Sequence, residues 1–187
     1  MRLLPGSMRG ASRGLASIPL IALAISPCVA KVYLTQEAAL KSAFPAPIQV
    51  ERKTLFLSDA QAASVEREAG SKITGRVFSY YVGSDQTGVR GYAYFDSHLV
   101  RTLPETVMVL LAGDGTIRRV EILSFSEPED YFPRQAWLEQ FAGKGLDSDL
   151  AIRRGIHNLS GASLTAEAVT GACRRILALH RLARASQ

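Results

Sequence analysis

The feature that most constrains the fold is a pair of apolar segments joined by a short glycine-rich turn. Residues 106–112 read Thr-Val-Met-Val-Leu-Leu-Ala, and residues 117–125 return with a second set of apolar positions. Gly113-Asp114-Gly115 between them is typical of the turn in a β-hairpin. The first segment suits a central strand, so we expect an antiparallel sheet built around this hairpin.

Other segments predict strands and helices on both sides of the hairpin. Alternating or aromatic-rich apolar residues indicate strands at 48–57, 77–82 and 91–95. Capping residues and apolar positions at three- and four-residue steps indicate helices after Thr35, after Ser58-Asp59, at 133–141 and from the segment at Ser160 to Leu182. The expected fold class is therefore α+β, with an antiparallel sheet and central hairpin backed by helices.

The first 30 residues resemble a secretory signal peptide. Three arginines precede an apolar run at 15–25, and Cys28-Val29-Ala30 supplies small residues at the cleavage position. The alternative is an uncleaved membrane anchor, although the charge-free stretch is short and contains two prolines. We expect export and cleavage, which would leave a mature periplasmic or extracytoplasmic chain beginning near Lys31.

Composition excludes several classes of function. The net charge is +5, but three of the positive charges lie in the leader, and no basic stripe with interleaved aromatic residues follows it. We therefore expect no nucleic-acid partner. Without the leader, Cys173 is the only cysteine, so no intrachain disulfide forms and Cys173 is expected to be a small core residue.

Common catalytic patterns are also missing from the sequence. His98, His157 and His180 show no spacing typical of a metal site, and His180 is expected at the surface of a cationic helix end. The acidic loop at 127–130 suits solvent better than a divalent ion. No Gly-x-Ser-x-Gly elbow, phosphate loop or dinucleotide glycine pattern is present, which argues against hydrolase and nucleotide-triphosphatase functions.

The segment Ser160-Gly161-Ala162-Ser163-Leu164-Thr165 opens the long C-terminal helix. One interpretation is structural: Ser160 or Ser163 caps the helix, and Gly161 permits a tight turn. The other is an anion site, because unpaired backbone N–H groups and the helix dipole favour a phosphate at a helix N-terminus. Capping alone leaves the second hydroxyl, on Thr165, unexplained.

These six residues resemble the flavinylation motif of FMN-binding domains: Ser or Asp, Gly, Ala or Ser, Thr or Ser, any residue, then Thr. Such domains occur in the flavin subunits of ion-pumping NADH:quinone and ferredoxin:NAD oxidoreductases and in stand-alone periplasmic proteins. The resemblance implies that Thr165 carries FMN through a phosphoester bond, installed by a separate flavin transferase with FAD as donor. Ser160, Gly161 and Ser163 would present hydrogen-bond donors to the phosphate.

The resemblance also implies a division of the chain and a place for the flavin ring. Residues 1–30 would be the signal peptide, 31–88 an N-terminal extension, and 89–183 the FMN-binding domain. We expect the ring to contact the segment 98–105 or the loop 127–131. Within the first segment the candidate residues are His98, Arg101 and Thr102, for which a solvated strand end is an equally good interpretation.

The resulting hypothesis is an exported electron carrier, with no catalytic acid or base of its own, that serves a membrane or periplasmic redox partner. It would be soluble or loosely membrane-associated. The alternative is a non-redox periplasmic binding or accessory module with the same hairpin core and no attached flavin.

Overall fold

A six-stranded antiparallel sheet organises residues 31–186, the part of the chain that the computed structural model describes. The strands are β1 (Lys31–Val32), β2 (Gln49–Phe56), β3 (Val77–Asp85), β4 (Gly88–Leu99), β5 (Pro104–Ala112) and β6 (Ile117–Phe125), in the spatial order β1-β6-β5-β4-β3-β2. The helices are α1 (Gln36–Ala43), α2 (Asp59–Ala69), α3 (Gln135–Leu138) and α4 (Ser163–Ala185). The expected α+β class is confirmed.

The central hairpin is present as β5 and β6, which pair from Glu105 opposite Phe125 to Leu111 opposite Ile117, with the register shifting by one residue after Thr106 and again after Leu110. One face of β5 packs under α2 and α4, and its other face joins a second core with α1. Five consecutive residues of β5, from Val107 to Leu111, are at most 3% exposed. A strand covered on both faces has no polar side, which explains its unbroken apolar sequence.

The N-terminal half contributes strands and helices to the same sheet. Thr35 caps α1 and Ser58 caps α2 with a capping box, while Gly70 ends α2 in the left-handed conformation, as the sequence predicts. Core residues from α2 and β3 pack against α4. The boundary drawn at residue 88 between extension and domain stays a prediction, and the predicted leader lies outside the described residues.

Two elements differ from the sequence-based expectation. Strands β3 and β4 extend towards each other beyond the predicted ranges 77–82 and 91–95, because Asp85 accepts hydrogen bonds from Thr87 and closes a two-residue turn. The helix predicted at 133–141 was wrong in length. A single α-helical turn is followed by a 3₁₀ turn at Glu139–Phe141, where the Ala142 N–H bonds the Glu139 carbonyl and tightens the backbone.

Helix α4 crosses the sheet and buries one long stripe of side chains. Cys173 is fully buried on this stripe, and burial raises the pKa of its thiol, which favours the core interpretation over a reactive cysteine. No helix within residues 31–186 has both the length and the apolar character needed to span a bilayer. The buried stripe of α4 covers one face of the sheet.

His180 is not at the surface, so the prediction for this residue was wrong. It follows Cys173 by seven residues and Ile176 by four, which places it on the buried stripe of α4. Its side chain is 4% exposed, its Nδ1 lies 3.0 Å from the Tyr94 hydroxyl oxygen, and its ring lies 4.5 Å from that of Tyr92. The sheet face extends far enough to cover the last turns of the helix.

Buried His180 should make stability fall as the pH falls. Burial, with a smaller contribution from Arg184, lowers the pKa of His180 to about 4. The unfolded chain binds a proton near pH 6.5, whereas the folded chain does not until near pH 4, so stability is lost across this window. Between pH 7.5 and pH 5 the loss from His180 should be about 2 kcal/mol.

Urea unfolding of the wild type and His180→Phe at both pH values measures this loss. The phenylalanine keeps a ring in the core but cannot titrate, so its free energy of unfolding should depend less on pH. The oppositely signed contribution of His98, whose pKa is raised, is common to both proteins and cancels in the comparison. If the free energy of unfolding depended on pH identically in the two proteins, the pKa of His180 would be the same in the folded and unfolded chain, and the prediction would be wrong.

Candidate functional site

A small cavity lies at the start of α4, where three separate segments of the chain meet. Its volume is about 200 Å³. The turn after β4, the loop after β6 and the 160–165 segment line it, through Val100, Arg101, Glu127, Tyr131, Gly161, Ala162, Ser163, Leu164 and Thr165. The structure therefore brings together the hydroxyl-rich segment and parts of both segments that the sequence suggested as its neighbours.

The start of α4 has no side-chain cap within residues 31–186, which argues against the interpretation that Ser160 or Ser163 caps it. The N-cap residue is Ala162, and no side chain accepts a hydrogen bond from the free N–H groups of the first turn. Gly161, at φ +80°, turns the chain so that Ser160 lies before the helix. Ser163 lies within the helix, and its hydroxyl accepts from Asn158 Nδ2 at 2.9 Å. The first-turn N–H groups are therefore available to donate hydrogen bonds to an anion.

The Thr165 hydroxyl lines the cavity without a hydrogen-bond partner among the described residues. The residue is only 1% exposed. By contrast, Thr170 in the same helix donates to the Ala166 carbonyl at 2.7 Å, which is the usual partner of a threonine within a helix. The corresponding acceptor for Thr165 would be the carbonyl of Gly161, four residues earlier. Gly161, however, lies outside the helix in a left-handed turn. The Thr165 hydroxyl is thus left for something inside the cavity.

Two oppositely charged side chains share this cavity with Thr165. Arg101 lies in a tight turn closed by the Val100 N–H to Leu103 carbonyl bond, has φ +33°, and forms no ion pair within residues 31–186. Glu127 has a buried Oε1 atom with no hydrogen-bond partner. Thr102, another predicted site residue, is exposed and does not line the cavity.

His98 belongs to a different, buried cluster of charged residues. Its Nδ1 lies 2.8 Å from Asp96 Oδ1, and its Nε2 lies 2.9 Å from Oε2 of Glu105, the residue opposite it on β5. Arg175 of α4 donates two hydrogen bonds to Asp96, at 2.7 and 3.0 Å. Local sequence spacing missed Asp96 and Glu105, because only strand pairing brings 98 and 105 together.

Electrostatics within this cluster follow burial and pairing. Burial opposes ionisation of Asp96, but hydrogen bonds from His98 and Arg175 outweigh it and hold the pKa of Asp96 at about 2. Burial likewise works against the charged form of His98, yet its two carboxylate partners raise the pKa of His98. Burial raises the pKa of Glu105, which is fully enclosed and has an unpartnered Oε1.

A second, larger cavity lies on the other side of the 98–101 segment. His98 and Leu99 line it, whereas Val100 and Arg101 line the cavity at Thr165. Its volume is about 440 Å³, and its walls are mainly apolar, including Ile73, Phe78 and Leu179. Throughout the described range, 31–186, no group of three or more histidine, cysteine or acidic side chains is placed to hold a metal ion.

The structure defines a small α+β domain with a cavity at the start of its longest helix. Comparison with known families assigns this domain more closely: residues 103–178 match the family model described as FMN-binding domain. The matched stretch contains β5, β6, the 127–131 loop and the start of α4. The predicted resemblance to the FMN-binding domain family is confirmed for this part of the chain. No match was found among curated proteins or solved structures.

The residues at Thr165 fit the phosphate end of FMN. The Arg101 guanidinium and the uncapped backbone N–H groups supply positive charge, and within residues 31–186 neither Arg101 has an ion-pair partner nor the Thr165 hydroxyl a hydrogen-bond partner. The cavity of about 200 Å³ is smaller than the roughly 300–1,000 Å³ typical of sites that enclose a small molecule. It therefore suits part of the cofactor, and the remainder would contact surfaces outside it.

Proposed function

We propose that the protein is an exported electron carrier that holds FMN covalently, through a phosphoester between the FMN phosphate and Thr165. The proposal rests on one observation. Thr165 is 1% exposed, its hydroxyl has no hydrogen-bond partner within residues 31–186, and the residue lines a cavity at an uncapped helix start. A hydroxyl so placed serves no structural hydrogen bond, whereas it is well placed to be esterified.

The surrounding residues support a bound phosphodiester. Such a group keeps one negative charge, which the N-terminal end of α4 stabilises, and the Arg101 guanidinium adds a charge-assisted donor. Asn158 holds the Ser163 hydroxyl through its amide and thereby fixes the first helical turn. When bound, FMN supplies the redox chemistry, while the protein tethers it and tunes its potential by charge and hydrogen bonding.

The cellular part of the proposal depends on the leader. The signal-like residues 1–30 support export to the periplasm or an equivalent extracytoplasmic space. A flavin transferase acting there would attach FMN from FAD. The loaded protein would then exchange electrons with a membrane or periplasmic redox partner.

The experiment is co-expression of the full chain with a flavin transferase, followed by intact-mass measurement and peptide mapping of the mature protein. We expect a mass increase of one esterified FMN on the peptide that contains Thr165, and a mature N-terminus near Lys31. A chain that stays unmodified, while a reference FMN-binding domain in the same cells is loaded, would refute covalent attachment. Flavin that is released on acid denaturation would show FMN binding without the ester.

Gly161→Val should reduce flavin loading at least about tenfold without unfolding the protein. Gly161 has φ +80°, and a β-branched residue is strained there by about 1–3 kcal/mol, so the turn before α4 should reorganise. Gly143→Val is a matched control. Gly143 has φ +78°, and at both positions an added Cβ meets nothing within 4 Å. Loading is measured by intact mass, and equal loading of both variants would show that the turn is irrelevant to the site.

A further inference from the structure

Glu127 is the acidic side chain that faces the Thr165 cavity. It lies in the loop after β6, and its Oε1 atom is buried without a hydrogen-bond partner among residues 31–186. A buried acceptor without a partner costs free energy, so the unpaired Oε1 atom needs an explanation. Thr165 lines the same cavity, and its hydroxyl has no acceptor among the described residues.

Both side chains line one cavity, whose volume is about 200 Å³. Of the residues that line the cavity, Glu127 carries the one carboxylate, and Arg101 carries the one permanent positive charge.

Neighbouring acidic groups are engaged elsewhere. Glu129, two residues further along the loop, forms an ion pair with Lys31, and both side chains are more than half exposed. Glu105 hydrogen-bonds His98 and does not line the cavity. A hydroxyl, a nearby carboxylate and a guanidinium form the set that phosphoryl transfer to a side chain requires: nucleophile, proton acceptor and charge stabiliser.

We propose that Glu127 accepts the Thr165 proton during attachment of FMN, so that the chain supplies part of the chemistry of its own modification. The inference rests on the proposed function. The Thr165 Oγ–P bond forms as the P–O bond of the pyrophosphate in FAD breaks. AMP leaves, the hydroxyl proton passes to the Glu127 carboxylate directly or through water, and no electrons are transferred. Arg101 stabilises the negative charge on the phosphoryl group.

The test uses purified, unmodified full chain with a flavin transferase and FAD. Intact mass gives initial rates, from which kcat and KM for the acceptor chain follow at several pH values. Glu127→Gln should lower kcat about 100-fold, the lower end of the usual effect of a general base, with KM nearly unchanged. It should also remove the acidic limb of the pH–rate profile. Glu127→Asp, which keeps the carboxylate, should restore part of kcat, and the exposed Glu129→Gln should behave as wild type.

The possible outcomes separate the inference from the function on which it rests. A Glu127→Gln variant with unchanged kcat overturns the inference, as does one in which only KM rises, since that result indicates a role in recognition by the transferase. Urea unfolding of each variant shows whether it is folded. If Glu127→Gln does not fold, the Glu127→Asp variant is used in its place. A kcat and a pH–rate profile of Glu127→Asp that both equal those of the wild type would overturn the inference. A wild-type chain that is never modified refutes the proposed function itself.

Discussion

Thr165→Ala should abolish covalent flavin attachment and leave the fold intact. The substitution removes the only hydroxyl oxygen that can form the proposed ester at this position. It should cost little stability, because the hydroxyl has no partner within residues 31–186 and alanine favours a helix more than threonine does. We expect a change in the free energy of unfolding of about 1 kcal/mol, from the loss of one buried methyl group.

Two further variants identify the reacting atom. Thr165→Ser keeps a hydroxyl and should still acquire flavin. Ser163→Ala removes the hydroxyl that accepts from Asn158 but leaves the Thr165 hydroxyl in place, so it should still be modified at Thr165. Intact mass and flavin fluorescence of the denatured protein give the loading of each. Flavin retained covalently by Thr165→Ala would place the attachment at another residue.

Arg175→Met should destabilise the protein by about 3–5 kcal/mol, the usual cost of removing one partner from a buried ion pair. Asp96 would lose two hydrogen bonds from the guanidinium while remaining largely buried between β4 and α4. His98 would still contact Asp96, so the buried carboxylate would keep one of its hydrogen-bond partners. A loss of this size is a large share of the total stability of a small domain.

Urea unfolding at pH 7 measures the loss, with Arg76→Met as the matched control. Arg76 forms an ion pair with Asp59, but both side chains are largely exposed, so the same substitution should cost less than about 1 kcal/mol. The double variant Asp96→Leu with Arg175→Met should be more stable than Arg175→Met alone, since it leaves no uncompensated carboxylate. Equal losses of stability in Arg175→Met and Arg76→Met would mean that the buried pair contributes no more to stability than the exposed one.

Elements with strong local signals could be predicted from the sequence. The β5–β6 hairpin, the Thr35 and Ser58 caps and the left-handed Gly70 each depend on a few neighbouring residues. The C-terminal helix was predicted as well, but its start was misplaced. A serine near a helix start is normally a cap, whereas here Gly161 and Ala162 turn the chain first and Asn158 takes the Ser163 hydroxyl.

Contacts between distant segments could not be predicted in this way. His180 carries no sequence signal of burial apart from its spacing after Cys173, and the extent of the sheet beneath α4 decides its environment. Asp96 and Glu105 are unremarkable strand residues until β4 pairs with β5 and α4 places Arg175 above them. Burial and strand register, which are properties of the folded chain, produced these clusters.

By itself, the sequence determined the α+β class, the hairpin and the 160–165 motif that resembles a flavinylation site, because each depends on residues close together in the chain. Only the tertiary structure decided that Arg101 and Glu127 share a cavity with Thr165, that His98 belongs to a separate buried cluster, and that the helix start is uncapped. These features arise where loops from different strands meet one helix end. Their positions depend on how the sheet and α4 pack together, which the spacing of residues in the chain does not encode.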